Sequence, residues 1–182
     1  FHTSRVSAAP GAAHLVKYVL GPLAYERLAD DPAESDPLTA SDAQAAQYAD
    51  HYFEYDDQRR VSRYASQGGA SSFDYSYAES GISDDYNHWK YKSVQTAADG
   101  TETITYANYA RHVMLSVLKD GQDQLREYTR YDDSGRPILK ANASAVSGYS
   151  EAYADLVNSG VHLRDNEGLI RTFQYDEASG LV

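Results

Sequence analysis

The chain has 182 residues, a formal net charge of −11 and no cysteine, and it contains 17 tyrosines against four phenylalanines and one tryptophan. The lack of cysteine excludes disulfides and thiolate metal sites. The acidic excess argues against nucleic acid as a partner and against binding to anionic membranes, because both require clustered lysine and arginine. A tyrosine-rich composition favours sheets with one wet face, where each ring packs and its hydroxyl stays hydrated.

Neither a membrane span nor a signal peptide is expected. The sequence has no run of about 18 apolar residues, and its N-terminus lacks a basic start followed by an apolar core. The sequence begins with Phe1 rather than methionine. We therefore expect a fragment of a longer protein whose export signal lies upstream.

The first 47 residues predict a strand, an acidic loop and a short helix. Residues 14–20 have strand character and end at Gly21-Pro22. Residues 23–40 are predicted as a loop, because proline lacks a backbone donor and blocks regular pairing. Ser41 or Asp42 predicts the cap of a short helix that runs through residue 50, with alanines supplying helix propensity. This is the one helix predicted for the chain.

From residue 51 the chain predicts consecutive antiparallel strands joined by tight turns. The turn at Asp99-Gly100 is the strongest signal, because Asp-Gly favours two-residue hairpin loops. A second Asp-Gly pair stands at Asp120-Gly121, and Gly68-Gly69 predicts another turn. Val113, Leu115 and Val117 alternate and predict one apolar strand face. The predicted strands are 51–56, 61–66, 71–78, 88–97, 101–109, 112–119, 124–132 and 136–141.

Residues 142–160 are predicted as an insert with a single helical turn near residues 151–157. Segments 161–163 and 169–176 are then expected to pair as a last hairpin. The predicted fold class is mainly β, an antiparallel hairpin meander with one short helix in the N-terminal third. Such a meander cannot bury itself as one flat sheet, so we expect it to curl, stack or continue. The expected division is residues 1–47 and a sheet region of residues 48–182.

One six-residue motif recurs at the ends of predicted strands. Residues 131–136 read tyrosine, aspartate, two polar residues, glycine, arginine; residues 55–60 repeat this with Arg59 in place of glycine. We expect the tyrosine to end a strand and the aspartate to accept hydrogen bonds from the backbone of the turn. Glycine then takes a positive φ, and arginine opens the returning strand. The predicted turn residues, with a third copy that begins at Tyr175, are Tyr55, Asp56, Arg60, Tyr131, Asp132, Gly135, Arg136, Tyr175 and Asp176.

The pattern Tyr-Asp-x-x-Gly-Arg resembles the YD repeat of rearrangement-hotspot (RHS) proteins, and the similarity extends over residues 48–182. This resemblance implies a spiralling sheet that winds into a large hollow shell around a toxic C-terminal polypeptide. It also implies a bacterial protein that is secreted or held at the cell surface. A chain of this length would supply only part of such a wall.

No residue pattern predicts a catalytic site, a metal site or a cofactor. The six histidines are scattered, and none shows the H-x-x-x-H spacing of a helical metal site. The carboxylate pairs Asp56-Asp57 and Asp132-Asp133 recur with the turn motif, which favours turn capping over acid–base catalysis. The sequence also lacks the G-x-S-x-G motif of serine hydrolases. Loose calcium binding by the acidic loop at residues 30–36 is the weaker alternative.

We therefore expect a non-enzymatic structural segment of an RHS/YD-repeat shell that encloses or carries a C-terminal effector. Its expected partners are the rest of the shell or further copies of the chain, with an enclosed effector. Nucleic acid and membrane insertion are not expected. The alternative is an extracellular binding module or filament subunit, in which strand edges pair between copies or tyrosine-rich faces bind glycans. Aromatic rows that pack as cross-strand pairs are the competing explanation for those tyrosines.

Overall fold

The computed structural model describes residues 3–5, 15–33 and 36–176, and the fold is mainly β with two short helices. The sheet is antiparallel and not closed, which confirms the predicted fold class. In chain order the elements are β1 (Thr3–Arg5), β2 (Tyr18–Leu20), α1 (Pro22–Ala29), α2 (Asp42–Tyr48), β3 (His51–Tyr55), β4 (Val61–Ser66), β5 (Ser71–Glu79), β6 (Tyr91–Ala97), β7 (Glu102–Ala107), β8 (Val113–Asp120), β9 (Asp123–Tyr131), β10 (Pro137–Ala141) and β11 (Ile170–Thr172).

Two compact units divide the chain. The first takes in the residues up to Tyr75 together with Thr96–Asp99, and the second takes in Ser76–Gln95 together with the residues from Gly100 onward. Within each unit the order of strands in the sheet follows their order in the chain. The division predicted at residue 47 stays a prediction.

The core of the first unit forms where the two helices pack on each other and on β2. Tyr18 and Leu20 of β2 are buried there with Ala45 of α2. Helix α2 starts as predicted, since the Ser41 hydroxyl accepts the Gln44 N–H while the Gln44 side chain accepts the Ser41 N–H. This reciprocal cap satisfies two backbone donors that a helix N-terminus otherwise leaves open.

Helix α1 corrects the prediction that residues 23–40 form a loop. Pro22 occupies the first helical turn, where its missing N–H is not needed and its restricted φ suits the helix. Ala24 and Leu28, one turn apart, are buried against the core. The proline that predicted a break therefore begins a helix.

The core of the second unit lies on one face of β7, β8 and β9. Ile104 pairs with Val117, Tyr106 pairs with Leu115, and Leu115 pairs with Tyr128 across the three strands. All five side chains are buried. The apolar face that the sequence pattern predicted on β8 is therefore confirmed at Leu115 and Val117. Val113 is exposed and Met114 is buried in its place, because the β7–β8 register shifts at this point.

Residues 142–163, which we call the insert, cover that core. Ala145, Val146, Leu156 and Val157 are fully or almost fully buried against it. The helical turn predicted near residues 151–157 is instead a succession of tight turns, in which the Tyr153 N–H bonds the Ser150 carbonyl and the Leu156 N–H bonds the Tyr153 carbonyl. Leu156 has a φ of 65°, which ends any right-handed helix there.

The last predicted hairpin is wrong. Strand β11 pairs with β10, with Ala141 opposite Ile170 and Leu139 opposite Thr172. Leu163 forms only a single bridge, and its partner is Val146 within the insert. The insert folds on itself because its apolar residues are buried, so β11 returns to the edge of β10.

A polar contact through the partly exposed Glu151 side chain joins the insert to the sheet. Glu151 accepts hydrogen bonds of 2.7 Å from both the Lys92 ammonium and the Tyr106 hydroxyl. The Lys92 and Tyr106 bonds hold the pKa of Glu151 below its usual value of 4.5. Burial, with the Glu151 bond, raises the pKa of Tyr106 well above its usual value, so this phenol stays protonated and donates.

The tight turns between strands lie where the sequence predicted them. Gly121 follows Asp120 in a two-residue loop and has a φ of 57°. Gly100, between β6 and β7, has a φ of 87°. Glycine meets these values at little steric cost. Among the described residues, no helix has the length and apolar composition needed to cross a membrane.

Candidate functional site: the aspartate turns

In the turn at residues 56–60, here the Asp56 turn, one side chain accepts most of the hydrogen bonds. Asp56 Oδ1 accepts the N–H groups of Gln58 and Arg60, both at 2.9 Å, and Oδ2 accepts Arg60 Nε at 2.7 Å. Two backbone bonds complete the turn, from the Asp56 N–H to the Arg60 carbonyl and from the Arg59 N–H to the Asp56 carbonyl. One carboxylate thus satisfies two backbone donors and a guanidinium.

The turn at residues 132–136, here the Asp132 turn, repeats all five bonds. Asp132 Oδ1 accepts the N–H groups of Ser134 and Arg136, and Oδ2 accepts Arg136 Nε at 2.7 Å. The two backbone bonds recur, from the Asp132 N–H to the Arg136 carbonyl and from the Gly135 N–H to the Asp132 carbonyl. The two segments, one in each unit, therefore have the same local structure.

Hydrogen bonding lowers the pKa of both aspartates below the usual value of 3.8. At Asp132 the leading cause is the backbone N–H of Arg136, followed, after an opposing effect of burial, by its side chain. At Asp56 burial raises the pKa, but the N–H and side chain of Arg60 and the N–H of Gln58 together outweigh it. Both carboxylates are therefore ionised in their turns at neutral pH.

The tyrosine of each motif donates its hydroxyl proton to a backbone carbonyl at, or just before, the beginning of an earlier strand. Tyr131 bonds the carbonyl of Val113, the first residue of β8, at 2.7 Å. Tyr175 bonds the carbonyl of Pro137, the first residue of β10, at 2.8 Å. Tyr55 bonds the carbonyl of Val16, two residues before β2, at 2.7 Å. The tyrosine thus connects the end of its own strand or segment to the start of an earlier strand.

The third predicted copy is seen in part. The Arg136 guanidinium lies over the Tyr175 ring, 4.5 Å from its centroid, which is a cation–π contact. This contact joins the second copy to the third. Asp176 is described, whereas the rest of that motif lies outside the described residues.

A further turn of the same kind is present at residues 108–112, and sequence reasoning missed it. In this Asn108 turn the Asn108 N–H bonds the His112 carbonyl, the Arg111 N–H bonds the Asn108 carbonyl, and the His112 N–H bonds Asn108 Oδ1 at 2.9 Å. These are three of the five bonds of the aspartate turns. Asn108 occupies the position of the aspartate, and Arg111, with a φ of 67°, occupies the position that Gly135 has in the Asp132 turn.

All three turns end in the same irregularity of the returning strand. After the Asp56 turn Tyr55 pairs with Val61 and Glu54 with Arg63, so Ser62 is skipped. After the Asp132 turn Tyr131 pairs with Pro137 and Arg130 with Leu139, so Ile138 is skipped. The Asn108 turn skips Met114 in the same way. In each case the unpaired residue is the sixth after the turn-forming Asp or Asn, which makes it a bulge coupled to the turn.

The Asn108 and Asp132 turns pack together through one aromatic cluster. The His112 ring lies between Tyr86 and Tyr131, with ring centroids 5.9 Å and 5.1 Å away. Asn108 is fully buried, and its Nδ2 donates to the Tyr86 carbonyl at 2.8 Å. An amide can do this because it donates as well as accepts, whereas an ionised carboxylate cannot.

Aromatic side chains also form a row on the first unit, which we define as His51, Phe53, Tyr55, Tyr64 and Phe73. Phe53 stands opposite Tyr64, and Tyr64 stands opposite Phe73 across β3, β4 and β5. Their ring centroids are 5.2 Å and 6.4 Å apart. The rings therefore form cross-strand pairs, and they also stay half-buried or exposed.

In the part of the chain that the structure describes, no three histidine, aspartate or glutamate side chains gather in a way that would hold a metal ion.

No family model matches the chain, and comparisons with curated proteins and with solved structures find no match.

Proposed function

We propose that this chain is a non-enzymatic structural segment of an RHS/YD-repeat wall, within a large exported bacterial protein that encloses or carries a C-terminal effector. The observation that carries the proposal is the identity of the Asp56 and Asp132 turns, which share all five hydrogen bonds although they lie in different units. Repetition of one local structure along a chain is characteristic of repeat architectures.

The hydrogen bonding of the turn fits a structural role in a repeat wall. Both carboxylate oxygens of Asp56, and both of Asp132, accept hydrogen bonds within their own turn, so they are not directed at a substrate. The hydroxyls of the motif tyrosines donate hydrogen bonds to backbone carbonyls of neighbouring segments. A turn motif that satisfies its own hydrogen bonds and also bonds to an earlier segment can be repeated along a chain. Repeat proteins, in which each repeat contacts its neighbours, require this.

The gene that encodes the chain offers a direct test. We expect the reading frame beyond Val182 to continue through many Tyr-Asp-x-x-Gly-Arg motifs and to finish in a tail without them. Negative-stain electron microscopy of the full-length product should then reveal hollow particles. A reading frame that stops directly after Val182, or a solid particle from a longer product, would contradict the proposal.

The aromatic row favours a second candidate, a self-assembling or glycan-binding surface module. Its rings pair along the sheet yet remain partly accessible, so they offer an aromatic surface. Light scattering over a concentration series and a glycan array would test it. A stable monomer that binds no glycan removes this candidate and leaves the wall proposal intact.

A further inference from the structure

We draw no further inference here: the strongest candidate, the partly exposed aromatic row across β3, β4 and β5 of the first unit, already belongs to the second candidate function, and nothing in the structure shows what covers it.

Discussion

Arg59 and Gly135 occupy the same position of the same turn, with φ values of 64° and 76°. Each donates its N–H at 2.9 Å to the carbonyl of the aspartate three residues earlier. Their surroundings differ, because a Cβ on Gly135 would lie 2.8 Å from His112 Cε1 and 2.9 Å from Tyr86 Cε1. The turn therefore demands the left-handed conformation at both positions, and packing excludes a side chain only at Gly135.

The strain at Arg59 is measurable by comparing two variants that both remove its side chain. Arg59→Gly should be more stable than Arg59→Ala by about 1 kcal/mol, because alanine retains the left-handed penalty that glycine avoids. Urea denaturation of both variants gives the free energies of unfolding. Equal free energies would mean that the left-handed conformation costs nothing at this position.

At Gly135 we expect the larger penalty. Gly135→Ala combines left-handed strain with a clash against Tyr86 and His112, so it should cost about 2 kcal/mol or more. Gly121→Ala is the matched control, since Gly121 has a φ of 57° and an added Cβ would have no neighbouring atom within 4 Å. It should cost about 1 kcal/mol from strain alone. If the two losses are the same, the close packing around Gly135 has no energetic consequence.

The lowered pKa of Asp132 predicts a pH dependence of stability. Because the carboxyl has a pKa below 3.8 when folded, its ionised form contributes stability that is present above about pH 4 and lost as the pH falls through the lowered value. The thermal midpoint of the natural chain should exceed that of Asp132→Asn at pH 6, and the gap should shrink below pH 3.8. Asp133→Asn, at the exposed neighbouring position, should follow the natural chain throughout. A gap that does not depend on pH would rule out this role for the carboxylate.

The buried amide of Asn108 predicts that aspartate does not replace it. Asn108→Ala should cost about 2–4 kcal/mol, because the His112 N–H and the Tyr86 carbonyl both lose their partner. Asn108→Asp should be severely destabilised at neutral pH and partly recover on acidification, since only a protonated carboxyl can donate to the Tyr86 carbonyl. Chemical denaturation at pH 7 and pH 4 distinguishes these outcomes. An Asn108→Asp variant as stable at pH 7 as the natural chain would show that the amide is not needed as a donor.

The contact between Tyr106 and Glu151 should stabilise the second unit. Tyr106→Phe is expected to cost about 1.5 kcal/mol, because the buried phenol loses a hydrogen bond to a charged, partly exposed acceptor. Tyr128→Phe removes a buried hydroxyl that makes no hydrogen bond among the described residues, so it is the control for the loss of the oxygen itself. Thermal denaturation of the two variants should rank them clearly, and similar midpoints would mean that the bond to Glu151 adds nothing.

The sequence predicted the elements whose signal is local. The capping pair Ser41 and Gln44 identifies α2, and the Asp120-Gly121 pair identifies its hairpin, because a few adjacent residues set each conformation. The prediction at Pro22 was wrong because proline at the start of a helix and proline in a loop look alike until the burial of Leu28 is known. The last hairpin failed for a related reason: the pairing of β11 with β10 depends on how the insert buries its apolar residues.

The Asn108 turn illustrates what a sequence motif overlooks. A motif that begins with tyrosine and aspartate excludes it, whereas the conformation requires only a side-chain oxygen at the first position and a tolerated positive φ three residues later. Asn108 supplies the oxygen and Arg111 takes the positive φ, so an Asn-x-x-Arg spacing next to predicted strands was the available signal. The His112 cluster has no such signal, because it joins side chains from three separate segments.

In both aspartate turns the two middle residues point their side chains to solvent, and the aspartate alone supplies the contacts that close the loop. Asp57 and Gln58, like Asp133 and Ser134, are exposed. These four positions are therefore natural attachment points for fluorophores or affinity tags. A pair of dyes, one on each turn, would report on the folding of the two units without touching the residues that hold either of them.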